Sequence, residues 1–146
     1  MKGLTVLKKD NVTISLVSRQ SDGKNTEQTE LITKGRFEKK KDRYIISYDE
    51  SEATGFEGAV TELVVYGNEK VTLNRTGDFM SNLTIEKGKK HHCQYGTPYG
   101  DIMVGVNSKE ISSNLTDEGG NVSFKYVIDI NSSYLGDFDI SIDVRQ

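Results

Sequence analysis

The sequence predicts an all-β fold, an antiparallel up-and-down β-barrel of about 8–10 strands. Its apolar residues recur with a period of two almost throughout, and no stretch keeps the three-and-four spacing of an amphipathic helix over several turns. Gly, Asn and Asp cluster between the alternating segments, as turns require. Short strands joined mainly by hairpins must hide their sheet edges in a sandwich or a closed barrel, and the simple meander favours the barrel.

The individual strands follow this alternation from one end of the chain to the other. The last two are the clearest, because Val122–Ile130 and Phe138–Val144 alternate strictly, and the link at 132–136 suits a hairpin between antiparallel strands. Gly67-Asn68 and Gly77-Asp78 mark two further tight turns. The other eight strands are predicted at about 11–20, 26–39, 43–50, 58–66, 69–76, 80–86, 89–95 and 101–112.

Length and composition indicate a single domain, residues 1–146, of which residues 1–10 can form a loosely ordered N-terminal extension. Lys and Arg total 19 against 22 Asp and Glu, so no basic field attracts nucleic acid or an anionic membrane, and neither is expected as a partner. Cys93 is the sole cysteine, and the apolar stretch after Met1 is shorter than the core of a signal peptide. We therefore expect a cytoplasmic protein.

A candidate binding site combines charged residues and phenols that share strand faces with apolar residues. Glu50 and Arg75 each end such a face. They either meet at one end of the barrel, because a buried charge is costly unless it is paired, or end their strands separately in solvent. Alternatively, Arg75 receives a ligand carboxylate or phosphate. Phenols suit a polar rim or a ligand pocket, and the candidate ligand-binding residues are Arg75, Glu50, Tyr44, Tyr48, Tyr95 and Tyr99.

The sequence His91-His92-Cys93 is the one segment that suggests metal chemistry. On a strand it supplies two ligands at most, whereas a structural zinc site needs four, and the chain has no second cysteine and no third histidine. Neither a Gly-x-Ser-x-Gly motif nor a glycine-rich phosphate loop is present. We therefore predict no metal, no cofactor and no catalytic residue.

Three motifs resemble a known family: Tyr44-x-x-x-Tyr48-x-Glu50, Val71-x-Leu73-x-Arg75-x-Gly77 and Tyr95-Gly96-Thr97-Pro98-Tyr99-Gly100. The chain is similar to the YwiB-like family of uncharacterised bacterial proteins, domain of unknown function 1934, from about residue 12 to its C-terminus. The resemblance implies a calycin-like, lipocalin-type β-barrel of a small cytosolic protein with no established activity. The chain has no Trp, and so lacks the Gly-x-Trp signature of secreted lipocalins.

Three functions remain open at this point. The favoured one is a non-catalytic module that binds a small apolar or amphipathic ligand, because barrels of this size can hold one small molecule. The alternative is a solidly packed structural or protein-interaction barrel, which includes a homodimer. Aromatic residues near predicted turns would lie on the surface and favour this alternative, namely Phe56, Tyr66 and Tyr134. An enzyme acting through Glu50 or His91 is the third and least favoured.

Overall fold

The computed structural model describes residues 10–146 apart from Gly55, Phe79 and Pro98, so the predicted N-terminal extension, except Asp10, lies outside the described residues. Ten antiparallel strands close a barrel, which confirms the predicted fold. The strands are β1 (Val12–Ser21), β2 (Thr26–Lys39), β3 (Tyr44–Asp49), β4 (Val60–Tyr66), β5 (Lys70–Thr76), β6 (Ser81–Glu86), β7 (Lys90–Thr97), β8 (Gly100–Thr116), β9 (Gly119–Ile130) and β10 (Ser133–Arg145). The described part of the chain contains no helix long and apolar enough to cross a membrane.

Each strand pairs with its neighbours in the sequence, and β1 pairs with β10 to close the ring. At this closure Leu16 lies opposite Ile142. We call the end that carries the β1–β2, β3–β4, β5–β6, β7–β8 and β9–β10 connections the upper end of the barrel, and the opposite end the lower end.

The link predicted at 132–136 was too long. β10 begins at Ser133, and the turn consists of Asn131 and Ser132, which both adopt positive φ, at 51° and 69°. Asp129 Oδ1 accepts a hydrogen bond from the Ser132 main-chain N–H at 3.3 Å, which holds this tight turn in place.

The core lies inside the barrel because side chains alternate between its interior and the solvent. Phe124 and Tyr126 stack with ring centroids 6.0 Å apart, and Tyr126 stacks on Phe138 at 5.1 Å. Burial of each large apolar side chain contributes about 1.5–3 kcal/mol. The largest fully buried side chains include Phe124, Ile14, Ile46, Leu63, Ile85, Ile128 and Ile142.

The strands are staggered, and β2 extends well beyond the end of β3. Residues Thr26–Gly35 pair with β1, whereas only Arg36–Lys39 pair with β3. The two strands pack closely at Gly35, where a Cβ atom would lie 2.6 Å from the carbonyl oxygen of Ser47. Above this point no pairing with β3 continues, and within the described residues Thr26–Lys34 have a strand partner on one edge alone. We call Thr26–Lys34 the β2 overhang.

The boundary between β6 and β7 is irregular. Among the residues that the structure describes, these strands match in regular register at Asn82 and Gln94 alone. Side chains replace part of the backbone ladder on either side: the Thr84 N–H donates to Cys93 Sγ at 3.4 Å, and the Gly96 N–H donates to Ser81 Oγ at 3.2 Å. We call this boundary the β6–β7 seam.

A candidate ligand-binding cavity

A cavity of about 260 Å³ lies in the upper half of the barrel. Thr29 and Leu31 of the β2 overhang line it, on the side where the described residues of β2 do not pair with β3. Its mouth lies beside the exposed Thr29 of the overhang and beside Thr54 and Phe56 of the β3–β4 connection. The apolar part of its wall is formed by Leu16, Leu31, Leu63, Leu73, Ile140 and Ile142.

One side of the cavity is polar because three neighbouring strands place polar side chains in one row. Tyr48 of β3 lies opposite Thr61 of β4, and Thr61 lies opposite Arg75 of β5. Glu50, which follows β3, completes the group, which we call the polar row. The main-chain N–H of Glu50 donates to the Ala59 carbonyl at 2.9 Å, which fixes the carboxylate at the top of the strand.

The members of the polar row hold one another through their side chains. Thr61 Oγ1 donates a hydrogen bond to Glu50 Oε2 at 2.5 Å, and Arg75 Nη2 lies 3.5 Å from the same oxygen. Arg75 Nε also donates to Thr61 Oγ1 at 3.3 Å. The side chain of Glu50 is only 2 % exposed and that of Arg75 15 %, so this is a nearly buried ion pair. Of the arrangements that the sequence left open, the structure therefore shows the one in which Glu50 and Arg75 meet at one end of the barrel.

Phe56 covers the guanidinium of Arg75. The Arg75 Cζ atom lies 3.9 Å from the centroid of the Phe56 ring, the geometry of a cation–π contact. Phe56 and Tyr66 are half-buried, so their prediction as surface aromatics was wrong, whereas Tyr134 is exposed. The β3–β4 connection therefore contributes a side of the cavity as well as a link between strands.

Two phenols of the barrel interior remain protonated far into the alkaline range. Burial raises the pKa of Tyr48 well above its usual value, and the nearby Glu50 carboxylate raises it further, while Arg75 opposes the shift. Burial likewise raises the pKa of Tyr126, with Tyr95 adding to the rise. At neutral pH both groups are hydroxyls that can donate a hydrogen bond.

The structure brings together only part of the set of candidate residues. Glu50, Arg75 and Tyr48 line the cavity, whereas Tyr95 packs against the core outside its wall. Tyr99 lies on the β7–β8 turn and is 99 % exposed. Tyr44 lies at the lower end, because it is four residues from Tyr48 on β3 and four residues along a strand span about 13 Å.

The lower-end contacts of Tyr44 are separate from the cavity. Its ring stacks on Phe37 with centroids 5.4 Å apart, and its hydroxyl donates to Asp117 Oδ1 at 3.1 Å. Thr61, in contrast, belongs to the cavity and was not among the candidates. A signal for it was present, because Thr61 alternates with Leu63 and Val65 on one inward face of β4.

The segment His91-His92-Cys93 is occupied by structural contacts. His91 Nε2 lies 2.9 Å from Glu86 Oε1, and buried Cys93 accepts the hydrogen bond of the β6–β7 seam. Nowhere in the part of the chain that the structure describes do three His, Cys, Asp or Glu side chains group as metal ligands would.

A closed, ten-stranded antiparallel barrel with a polar row beside an upper cavity defines the chain as a small β-barrel protein. The chain belongs to the family described as a domain of unknown function, DUF1934, whose family model matches residues 14–142. It is similar to the uncharacterized beta-barrel protein YwiB of Bacillus subtilis (strain 168), with 26 % identity over 115 residues, 79 % of each chain. The crystal structure of the B. subtilis ywiB protein superposes with a TM-score of 0.74 and 22 % identity over 92 % of each chain, which shows a shared fold. The predicted family is thus confirmed.

Proposed function

We propose that the protein is a cytoplasmic, non-catalytic binding module of calycin type that holds a small apolar or amphipathic ligand in the upper cavity. The observation that carries this proposal is a cavity of about 260 Å³ with apolar walls on most sides and a buried polar row on one. An apolar cavity of about 150 Å³ accepts benzene, so this one has room for a molecule of about ten non-hydrogen atoms.

The division of the cavity into apolar and polar parts fits the two tasks of a binding site. The leucine and isoleucine walls supply affinity by removing apolar ligand surface from water. The polar row supplies orientation, because its hydroxyl and guanidinium groups are held in place by one another. The side chains around this space leave it unfilled, although protein interiors are ordinarily close-packed, and this supports a role for the open space.

Native mass spectrometry of protein purified from its own host without denaturation tests for a retained ligand. Calorimetric titration with indole, an apolar molecule that fits the volume, tests the cavity directly. Leu31→Trp fills the cavity and should weaken indole binding about tenfold or more. Ile32→Trp is the matched control, because this neighbour on the same strand is 73 % exposed and faces away from the interior.

Two results would contradict this proposal. One is a protein that carries no bound species and does not bind indole. The other is equal indole binding by the two tryptophan variants, which would mean that any binding occurs elsewhere on the molecule.

A second candidate is a protein-interaction barrel, and the β2 overhang favours it. Its free edge can accept another strand, and the occupant best matched to it is a second copy of this chain. Antiparallel pairing of two overhangs centred on Ile32 sets the exposed Ile32 side chains against each other. The same register sets Glu30 opposite the partner's Lys34 on both sides of the centre, so opposite charges meet twice.

Sedimentation from micromolar to millimolar concentration tests this dimer. Ile32→Lys should leave the protein monomeric, whereas Met103→Lys, an equally drastic change at an exposed residue of β8, should leave the dimer intact. A wild-type protein that stays monomeric throughout the range would exclude this second candidate.

A further inference from the structure

We infer, on the basis of the proposed binding function, that the cavity selects uncharged amphipathic molecules, with a hydroxyl, carbonyl or amide group placed against Arg75. It discriminates against carboxylates as well as amines. The inference follows from the charges that line the cavity, from the donors that Arg75 has left, and from the closeness of Glu50.

The charges of the cavity wall cancel. Of the described residues that line it, Glu50 carries the negative charge and Arg75 the positive one. The remaining polar lining residues are uncharged hydroxyl side chains, namely Ser18, Thr29, Tyr48, Thr54 and Thr61. Glu52 and Glu57 of the β3–β4 connection are exposed and belong to none of its walls. The site as a whole is therefore electrically neutral and polar on one side only.

Arg75 retains hydrogen-bonding capacity after its contacts within the polar row. A guanidinium has five N–H donors. Nε donates to Thr61 and Nη2 contacts Glu50, while Nη1 has no hydrogen-bonded acceptor within the described ranges. The N–H bonds of a guanidinium lie in its plane, so a hydrogen-bond acceptor approaches in that plane, while Phe56 lies over one face of the group. A ligand oxygen in the cavity can meet this requirement.

A charged ligand group gains little from this arrangement. A carboxylate that reached Arg75 would come close to the Glu50 carboxylate, which already accepts a hydrogen bond from Thr61 and pairs with Arg75, so like charges would repel in a nearly buried site. An ammonium placed against Glu50 would lie close to the positive guanidinium of Arg75, whose Nη2 is 3.5 Å from the carboxylate. An uncharged acceptor such as an amide carbonyl avoids both repulsions, and we expect it to bind at least about tenfold more tightly than either ion.

Four probes of equal size test this selection by calorimetry at neutral pH: octanamide, 1-nonanol, octanoate and nonylamine. The wild-type protein should prefer the amide and the alcohol over both ions by about tenfold or more. In Glu50→Gln, where Arg75 is no longer neutralised, the ratio of octanoate affinity to octanamide affinity should rise about tenfold. Glu57→Gln removes an exposed carboxylate outside the cavity and is the matched control, with the wild-type ranking unchanged.

The outcomes separate this inference from the proposed function. Octanoate binding as tightly as octanamide to the wild-type protein would overturn the neutral-ligand inference while leaving a binding module intact. Failure of all four probes and of indole would count against the proposed function, and the inference would fall with it. Because the wild-type ranking is itself decisive, the test does not depend on how well Glu50→Gln folds.

Discussion

Replacing Arg75 by Met removes the charge beside Glu50 while leaving a flexible apolar side chain against Phe56. The charges of the native pair lie 3.5 Å apart, and at an effective dielectric constant of about 20 their attraction is about 5 kcal/mol before desolvation is counted. Removing one member of a buried pair costs about 3–5 kcal/mol, because the other charge is left behind. Arg75 keeps 15 % of its surface exposed, so we expect Arg75→Met to lower the free energy of unfolding by about 3 kcal/mol.

A double-mutant cycle measured by urea denaturation isolates this interaction. Glu50→Gln should also destabilise the protein, whereas the double variant Glu50→Gln/Arg75→Met should be about 2 kcal/mol more stable than the sum of the single changes predicts. Arg43→Met, which breaks the surface pair with Asp42, is the control and should cost less than about 1 kcal/mol. Single changes that add to within about 0.5 kcal/mol would refute the argument that Glu50 and Arg75 depend on each other.

Three further predictions concern the barrel itself. Gly35→Ala should lower the free energy of unfolding in urea by about 1–3 kcal/mol, because a Cβ atom would meet the Ile14 side chain and the Ser47 carbonyl. The control Thr33→Ala, on the same strand, should lower it much less, and equal effects would contradict the close approach of β2 and β3. Phe124→Ala should cost about 3–5 kcal/mol by calorimetry, and a loss below about 1 kcal/mol would contradict the tight packing of the core around Phe124. Because the pKa values of Tyr48 and Tyr126 are raised, the folded chain keeps protons that the unfolded chain loses above about pH 10, so the free energy of unfolding should fall as the pH rises from there. An ultraviolet titration in which all 7 tyrosines of the folded protein ionise together would disprove these raised pKa values.

The alternation of apolar residues was enough to predict the strands, because half of every strand faces one shared interior. β2 was predicted at its observed bounds, residues 26–39, and the order of the strands followed from the short connections between them. Connection lengths do not state how far one strand extends beyond the next. In a closed barrel that stagger depends on the tilt of all the strands together. The β2 overhang, and with it the cavity, therefore could not be predicted from local pattern.

In the candidate site, too, alternation predicted which face of its strand a residue lies on, but not which end of the barrel it lies near. Alternation correctly placed Glu50 and Arg75 on inward faces, and the cost of an unpaired buried charge made their meeting one of the arrangements left open, which the structure shows. Alternation also placed Tyr44 on the face of Tyr48, yet the two lie at opposite ends of the barrel. The Arg75 contact with Phe56 depends on how the β3–β4 connection folds back, which no periodicity describes.

At the β6–β7 seam, the contact between neighbouring strands depends partly on individual side chains and not on the backbone alone. Backbone ladders are available to any sequence, but two of the links across this seam depend on the Cys93 sulfur and the Ser81 hydroxyl. Because one residue pair alone matches in regular register across this seam among the described residues, we expect local separation of paired strands to begin here. A substitution at either residue would change how often β6 and β7 separate locally, while leaving the strand order and the cavity walls as they are. The rigidity of this part of the barrel can thus change through a substitution at one residue, without a change of the fold.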